Sequence, residues 1–413
     1  MANELEVYIN NIHEGTLKNG ENGGINFQYD DLSVLPISVS LPVRKLVYNS
    51  DECHGFFNGL LPESEQTRKR IGLKYGINPN NDFALLKAIG YDCPGAIAFI
   101  NKGEENNLSE YYDMIGVEIS DIELETLIKE LPQKPLGTGV KDMRLSLAGA
   151  QDKTAVLIKE DKIFLPAKNT PTTHIIKPEI NGLSETAENE YICLKAAEKS
   201  GINTINAELR TSGKTKYLIT ERFDRVIRDG KIKRLHQEDF CQALNIASAY
   251  KCEQEGGVSF KQSFEVLRKT NKAALNIKQF INRMIFNYLI LNNDAHGKNY
   301  SLLYTESGEL ELAPVYDILC TKAYSGLSSD MAMEIGGCYD IGNVLPEHFK
   351  KLADEVGISY TGLRQSIINQ CEILPDILKD VVSGFENKIG TVILNKVSKH
   401  CRKNLKLFKQ KNI

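Results

Sequence analysis

Several features that would assign a protein quickly are missing from this chain. None of its nine cysteines sits in a Cys-x-x-Cys pair. That removes the common zinc and dithiol frameworks and reads as reduced, mostly buried thiols of a cytosolic protein. No apolar run is long enough to span a bilayer. The most apolar segment, Met284 to Leu291, is short and carries Asn287. The first residues, Met1 to Glu6, have neither a basic n-region nor an apolar h-region, so neither a secretory leader nor a membrane is expected. Repeats and low-complexity segments are absent too. Charge of one sign is not in excess: the formal net charge is −4, which argues against a chain that binds nucleic acid through its overall field. The C-terminus is a local exception, with Lys399, Arg402, Lys403, Lys406, Lys409 and Lys411. It reads as a solvated basic helix end.

What is present suits a globular protein of two or three domains, since 413 residues bury at least one large core. Residues 1–104 read as a compact mixed α/β domain. Glu4 to Ile9, Phe27 to Tyr29 and Ile37 to Leu41 alternate as strands, and Gly95 to Ile100 closes the unit as another. Helical patterns cover a stretch with Glu65, Arg68, Lys69 and Arg70, and Asp82 to Ile89. Residues 105–138 form a polar connector with one helix, Asp121 to Leu131, stopped by Pro132 and Pro135. Residues 139–223 carry short strands and a helix from Ser184 to Ser200, with Gly201 as its C′ residue. From 224 to 413 the chain is mainly helical. Strands followed by a helical half suit an α+β, bilobal ATP-dependent transferase with a small α/β domain in front of it.

Five pieces carry chemistry. Ser146-Leu147-Ala148-Gly149-Ala150-Gln151-Asp152-Lys153 is a small-residue loop before a strand. Such a loop lets backbone N–H groups approach phosphate oxygens, and it also suits an ordinary turn. Lys177 follows the apolar His174-Ile175-Ile176, with Pro178 expected to break the strand, so Lys177 stands at a strand end. There it reaches nucleotide phosphates as a point charge, or simply faces solvent. The next helix has Glu188 and Glu190 in its early turns, where a partner for Lys177 or plain macrodipole preference accounts for them. Thr220 to Arg225 follows a strand. At a lobe hinge Glu221 and Phe223 can meet an adenine, and Gln237 lies downstream.

The fifth piece is Asn293-Asp294-Ala295-His296-Gly297-Lys298-Asn299, with Tyr316-Asp317 beyond it. An acid, then four residues, then an Asn, and a second acid further on form the polar kit of phosphoryl transfer: one acid for the hydroxyl, an amide and a carboxylate for Mg²⁺. Ile277, Phe280, Ile281, Met284, Ile285 and Tyr288 share a helical face that ends at Asn292-Asn293. Asp294 is thereby mounted on a rigid element. Glu309 to Leu312 reads as a strand, so a strand–turn–strand brings Asp317 back toward Asp294. His296 is read as a structural hydrogen-bonding residue, and Lys298 as a cation available to a transferring phosphoryl group.

The ordered set Phe56-Phe57-Asn58-Gly59-Leu60-Leu61-Pro62-Glu63, Leu147 to Thr154, Thr172 to Lys177, Glu221 to Arg225, Gln237 to Leu244 and Asp294 to Asn299 resembles the HipA family, serine/threonine-kinase toxins of type II toxin–antitoxin modules. The resemblance implies a protein-kinase-like fold, ATP and Mg²⁺. It makes Asp294 the catalytic base, Asn299 and Asp317 the metal ligands, Lys177 the nucleotide lysine and 147–153 the phosphate loop. Glu221, Phe223, Gln237, His296 and Lys298 complete the nucleotide site, and Ser146 falls on the autophosphorylated, self-silencing serine. It further implies an aminoacyl-tRNA synthetase as substrate, glutamate–tRNA ligase above all, and a helix-turn-helix, HipB-like antitoxin that supplies the DNA contacts. Two other readings stand beside it: a kinase of a small molecule or lipid headgroup, and a silent kinase-like corepressor.

Overall fold

The computed structural model describes residues 3–20, 24–33, 35–103, 108–137, 145–149, 151–385 and 387–410. Ala150 lies outside them, as do the expected boundaries at 104 and 138. The chain forms two compact units. The first gathers Met1–Pro178, Arg210–Ala249 and Leu302–Glu309; the second gathers Glu179–Leu209, Tyr250–Ser301 and Leu310–Ile413.

The first unit opens with an antiparallel sheet of Ile25–Tyr29, Ile12–Asn19, Glu4–Ile9 and Ile97–Ile100, in that order. Alternation places Leu5 and Val7 in its core beside Phe27, Phe56, Phe57, Leu60 and Leu61. Helix Ser50–Gly59 starts from a capping box in which Asn49 and Glu52 satisfy each other's backbone. Ser64 and Asn81 cap Glu65–Tyr75 and Asp82–Ile89. The core reaches beyond this domain, because Leu145, Leu147 and Ala155 are packed into it.

The segment expected as a strand at Ile37 to Leu41 is not one. Its polar groups are committed to side chains: Ser38 Oγ and the Val39 N–H donate to the Glu238 carboxylate, and Ser40 Oγ donates to the Gln242 carbonyl. A backbone held this way has no ladder to join.

A second sheet carries the loop-and-lysine region. His174–Pro178 lies between Thr215–Glu221 and Thr154–Lys159, with Lys162–Pro166 and then Gly116–Glu118 outside the latter. Helix Asp121–Glu130 covers one face with Leu124 and Ile128 against Val156, Ile176 and Ile219.

The second unit is mainly helical. Ala273–Leu289 shows the expected apolar face, burying Phe280, Met284, Ile285 and Tyr288. Tyr288, Phe349 and Phe408 stack edge to face at its centre. Helix Thr186–Lys199 ends at Ser200, and Gly201 takes the left-handed conformation at φ +79°, as expected of a C′ glycine. The long pair Tyr360–Ser383 and Lys388–Lys409 packs side by side. Strand-rich and helix-rich parts together make the fold α+β. No helix among the described residues is long and apolar enough to cross a membrane.

Candidate active site

In the second unit, the acid-bearing loop grows from the end of Ala273–Leu289. The helix stops two residues before the Asn292-Asn293 pair that the sequence pointed to. Leu291 adopts φ +62°; its N–H reaches the Tyr288 carbonyl at 3.3 Å and the Asn292 N–H reaches Asn287 at 2.9 Å. This is the paired closure of a Schellman stop with leucine in the position glycine prefers. Strain of about 1–2 kcal/mol is thus held beside the loop. Asn292 then works in both directions: Nδ2 donates to Asn287 Oδ1 at 2.9 Å, and Oδ1 accepts the Asp294 N–H at 3.1 Å.

The Asp294 carbonyl is a hub. It accepts the His296 N–H at 2.9 Å and Asn299 Nδ2 at 2.9 Å. With its NH₂ donating there, the Asn299 amide keeps Oδ1 as the atom that could hold a metal. The Asp294 side chain is 61% exposed, while Asn293, His296 and Lys298 around it are buried. His296 Nε2 stands 3.9 Å from Asp294 Oδ1. This is not an ion pair: burial, with Lys251 and Lys298 nearby, pulls the imidazole down to about 3, so it is neutral.

Asp317 is held at φ +54°. Strands Ser301–Tyr304 and Leu310–Leu312 occupy the stretch between the two acids, as expected. The Tyr316 hydroxyl donates to the Lys298 carbonyl at 2.8 Å and lies 2.5 Å from Ser301 Oγ. The residues that precede Asn299 and Asp317 are therefore bonded to each other.

Most of the residues expected to meet a nucleotide lie in the first unit. Lys177 lies inside the strand rather than at its broken end: Pro178 is still paired with Tyr217, and Lys177 faces Leu218. Its side chain is buried. Gly149 has φ +102°, and a Cβ there would stand 2.5 Å from Lys153 Nζ. The backbone angle is what requires glycine, since the lysine tip can shift. Lys153 Nζ donates to the Ala148 carbonyl at 2.9 Å, and Gln151 Nε2 to the Pro178 carbonyl at 2.9 Å. Leu147 anchors the loop through its buried side chain. Burial raises the Asp152 carboxyl, against Arg70 and Lys153. Ser146 is fully buried, with Oγ donating to the Leu60 carbonyl at 2.6 Å. Glu221 is exposed at the end of Thr215–Glu221, opposite His174, and Phe223 is half-buried.

Two features here had no signal in the sequence. Arg222 and Arg225 form the centre of a buried network. Arg222 grips Asp224 at 2.9 Å and Arg225 grips Asp92 at 2.6 Å, while Thr172 donates to Asp92 at 2.8 Å. Only proximity in the fold could reveal Asp92 as their partner. Glu238 likewise joins Ser38, Val39 and Tyr304, which are far apart in the chain.

The residues present fit a magnesium nucleotide. Gln237 Oε1 and His296 Nδ1 are buried polar atoms with no hydrogen-bond partner among the described residues, and such atoms are normally satisfied. One amide oxygen and one carboxylate suit a hard cation that keeps waters and takes phosphate oxygens.

Residues 5–100 match the HipA N-terminal domain and residues 145–385 the HipA-like C-terminal domain. A Sinorhizobium fredii protein named as a kinase, Y4mE, is 37% identical over 88% of each chain. The serine/threonine-protein kinase toxin HipA of Shewanella oneidensis is 28% identical over 92% of this chain and 89% of its own. A solved complex of Shewanella oneidensis HipA, HipB and operator DNA matches with a TM-score of 0.85 at 26% identity, covering 98% of both chains.

Proposed function

The chain belongs to the HipA family, and from that premise we propose that it is a Mg-ATP-dependent serine/threonine protein kinase acting as the toxin of a toxin–antitoxin pair. The observation that carries the reading is the Asp294 hub: one carbonyl accepts both the His296 N–H and Asn299 Nδ2, so the amide is fixed against the backbone that carries the exposed carboxylate. Such preorganisation is what phosphoryl transfer asks of a protein.

When bound, Mg-ATP supplies the phosphoryl group and a metal that spreads its charge. Asn299 and Asp317 would hold the metal. Lys177 and the backbone N–H groups of 147–153 would hold phosphates, Glu221 and Phe223 the adenine, and Gln237, His296 and Lys298 the rest of the nucleotide. Asp294 orients the acceptor serine hydroxyl and takes its proton at the carboxylate. The neutral His296 beside it does not compete for that charge. The acceptor is a protein serine, with an aminoacyl-tRNA synthetase such as glutamate–tRNA ligase as the expected substrate.

Ser146 is the proposed site of self-modification. A dianionic group cannot stay in a dry pocket against the Leu60 carbonyl, so a phosphorylated Ser146 expels the loop and stops nucleotide binding. A HipB-like helix-turn-helix antitoxin is the proposed partner, carrying the DNA contacts in the cytoplasm. The Shewanella complex supports that pairing.

The test is transfer from γ-labelled ATP with Mg²⁺, for the wild type and Asp294→Asn, after mass spectrometry has established the starting state of Ser146. Label on Ser146 and on glutamate–tRNA ligase, absent in the variant, is expected. No transfer from an unphosphorylated wild-type chain to itself or to a cell extract would overturn the kinase reading.

A further inference from the structure

The loop that includes Ser146 and Gly149 is not supported by the kinase-type sheet alone. The N-terminal family domain grips it at three points. Ser146 N–H donates to the Asp92 carbonyl at 3.1 Å, Ser146 Oγ to the Leu60 carbonyl at 2.6 Å, and Glu63 N–H to the Gly149 carbonyl at 3.4 Å. Pro62 pairs in parallel with Gly149, and Leu145 with Asp92. Two of these points lie in one short turn, Leu60 to Glu63.

The Leu60 and Leu61 N–H groups bond back to Phe57 and Asn58, and the far end of the turn is tied down by Arg68. Its Nε donates to the Pro62 carbonyl at 2.7 Å, and its Nη1 to Asp82 Oδ1 at 2.7 Å. Proline has no N–H, so the carbonyl is the only backbone group by which Pro62 can be held. Asp82 in turn accepts Asn58 Nδ2 at 2.7 Å and lies 3.2 Å from His54 Nε2. The guanidinium uses two donors of a rigid fork on two different elements, which an ammonium cannot reproduce. A polar hollow of about 210 Å³ opens beside Arg68 and Asp82, so a change there empties no apolar core.

We propose that Arg68 is a positioning residue for the nucleotide: through Pro62 it holds the Leu60 to Glu63 turn, and the turn holds the 146–149 loop in its phosphate-accepting form. The N-terminal domain thus takes part in ATP binding without touching ATP. This rests on the reading of 147–153 as the phosphate loop. Backbone N–H groups serve a phosphate only while they converge, and a loosened turn lets them diverge. The same release frees the Ser146 hydroxyl from Leu60, so one side chain governs both nucleotide affinity and exposure of Ser146.

The full-length chain with Arg68→Lys and Arg68→Gln tests this, beside Gly149→Ala as a direct lesion of the loop. Ile100→Val, which lies in a separate cluster with Tyr8 and Tyr91, serves as a control for general loosening of the domain. KM for ATP, kcat, melting temperature and amide exchange at 146–149 are measured for each. Expected for both Arg68 variants is a KM for ATP raised about tenfold, the equivalent of one charge-assisted hydrogen bond. In those variants kcat changes less than KM, and amides 146–149 exchange faster even without nucleotide. Ile100→Val lowers the melting temperature and leaves KM and those amides unchanged. If Gly149→Ala raises KM while the Arg68 variants do not, the relay is wrong and the loop reading stands. If Gly149→Ala also leaves KM unchanged, the loop reading itself has failed. Equal effects from Ile100→Val would reduce Arg68 to a general stabiliser and overturn the proposal. Should neither Arg68 variant fold, exchange in the wild type decides: amides 146–149 opening together with Glu63 support the relay, and independent opening refutes it.

Discussion

The Tyr316 hydroxyl donates to the Lys298 carbonyl at 2.8 Å, and Ser301 donates to Tyr316 in return. A single phenol thereby joins the backbone that presents Asn299 to the backbone that presents Asp317. Tyr316→Phe keeps the ring and removes that bond. The expected loss of stability is about 1 kcal/mol, with a lower kcat and a higher Mg²⁺ concentration needed for half-maximal rate. Mg²⁺ titration of phosphoryl transfer checks it; an unchanged Mg²⁺ requirement would show that the bond plays no part in setting the metal ligands.

At Gly149 a methyl group meets a left-handed backbone, and it also displaces the tip of Lys153, whose Nζ stands 2.5 Å away. Gly149→Ala should cost roughly 1–2 kcal/mol in folding stability. It should also weaken nucleotide binding by more than that loss alone explains. Calorimetric titration with ADP separates the two effects, because a purely structural lesion lowers the melting temperature and leaves affinity intact.

Burial pushes the Glu238 carboxyl from its ordinary 4.5 up to about 7, although Ser38, Tyr304 and the Val39 N–H all donate to it. The folded chain therefore holds this proton over a range in which the unfolded chain has released it. The contribution of Glu238 to stability is greatest below about 4.5, falls as pH rises toward about 7 and then levels off. Glu238→Gln should flatten this part of the profile. Urea midpoints at a series of pH values provide the readout, and a slope equally steep in the variant would contradict the assignment.

Arg222 is fully buried between Asp92 and Asp224. Arg222→Met leaves Arg225 as the nearest cation for two buried carboxylates. A loss of about 3–5 kcal/mol is expected, because an uncompensated buried charge is far costlier than a lost surface pair. Chemical denaturation measures it; a loss below about 1 kcal/mol would mean that water or Arg225 already carries the network.

The sequence was most legible where the signal is local and periodic. The apolar face of Ala273–Leu289 and the left-handed Gly201 could be read residue by residue, since a helix repeats every few positions. The strands between Asp294 and Asp317 were legible for the same reason. Ile37 to Leu41 misled because alternation says nothing about a distant carboxylate: Glu238 lies 200 positions from Ser38. Lys177 misled through Pro178, which ends the strand without excluding it from the ladder. For the acid loop, the spacing pointed to Asp294 and Asn299 as a pair. That Asn299 is bound to the Asp294 backbone rather than to its side chain could be seen only in the fold.

The division of the chain has a consequence for synthesis. The first unit takes its last piece, Leu302–Glu309, from the middle of sequence that otherwise builds the second. Tyr304 in that piece closes the ring of donors around Glu238 and bonds to the His236 carbonyl. A growing polypeptide therefore cannot finish the part that carries Lys177 and the 146–149 loop until it has already made Asp294 and Asn299. The order of the segments on the ribosome keeps a half-made chain from completing the first unit before Asp294 and Asn299 exist. A fragment cut between the two family domains separates Arg68 from the loop it holds, whatever each half does alone.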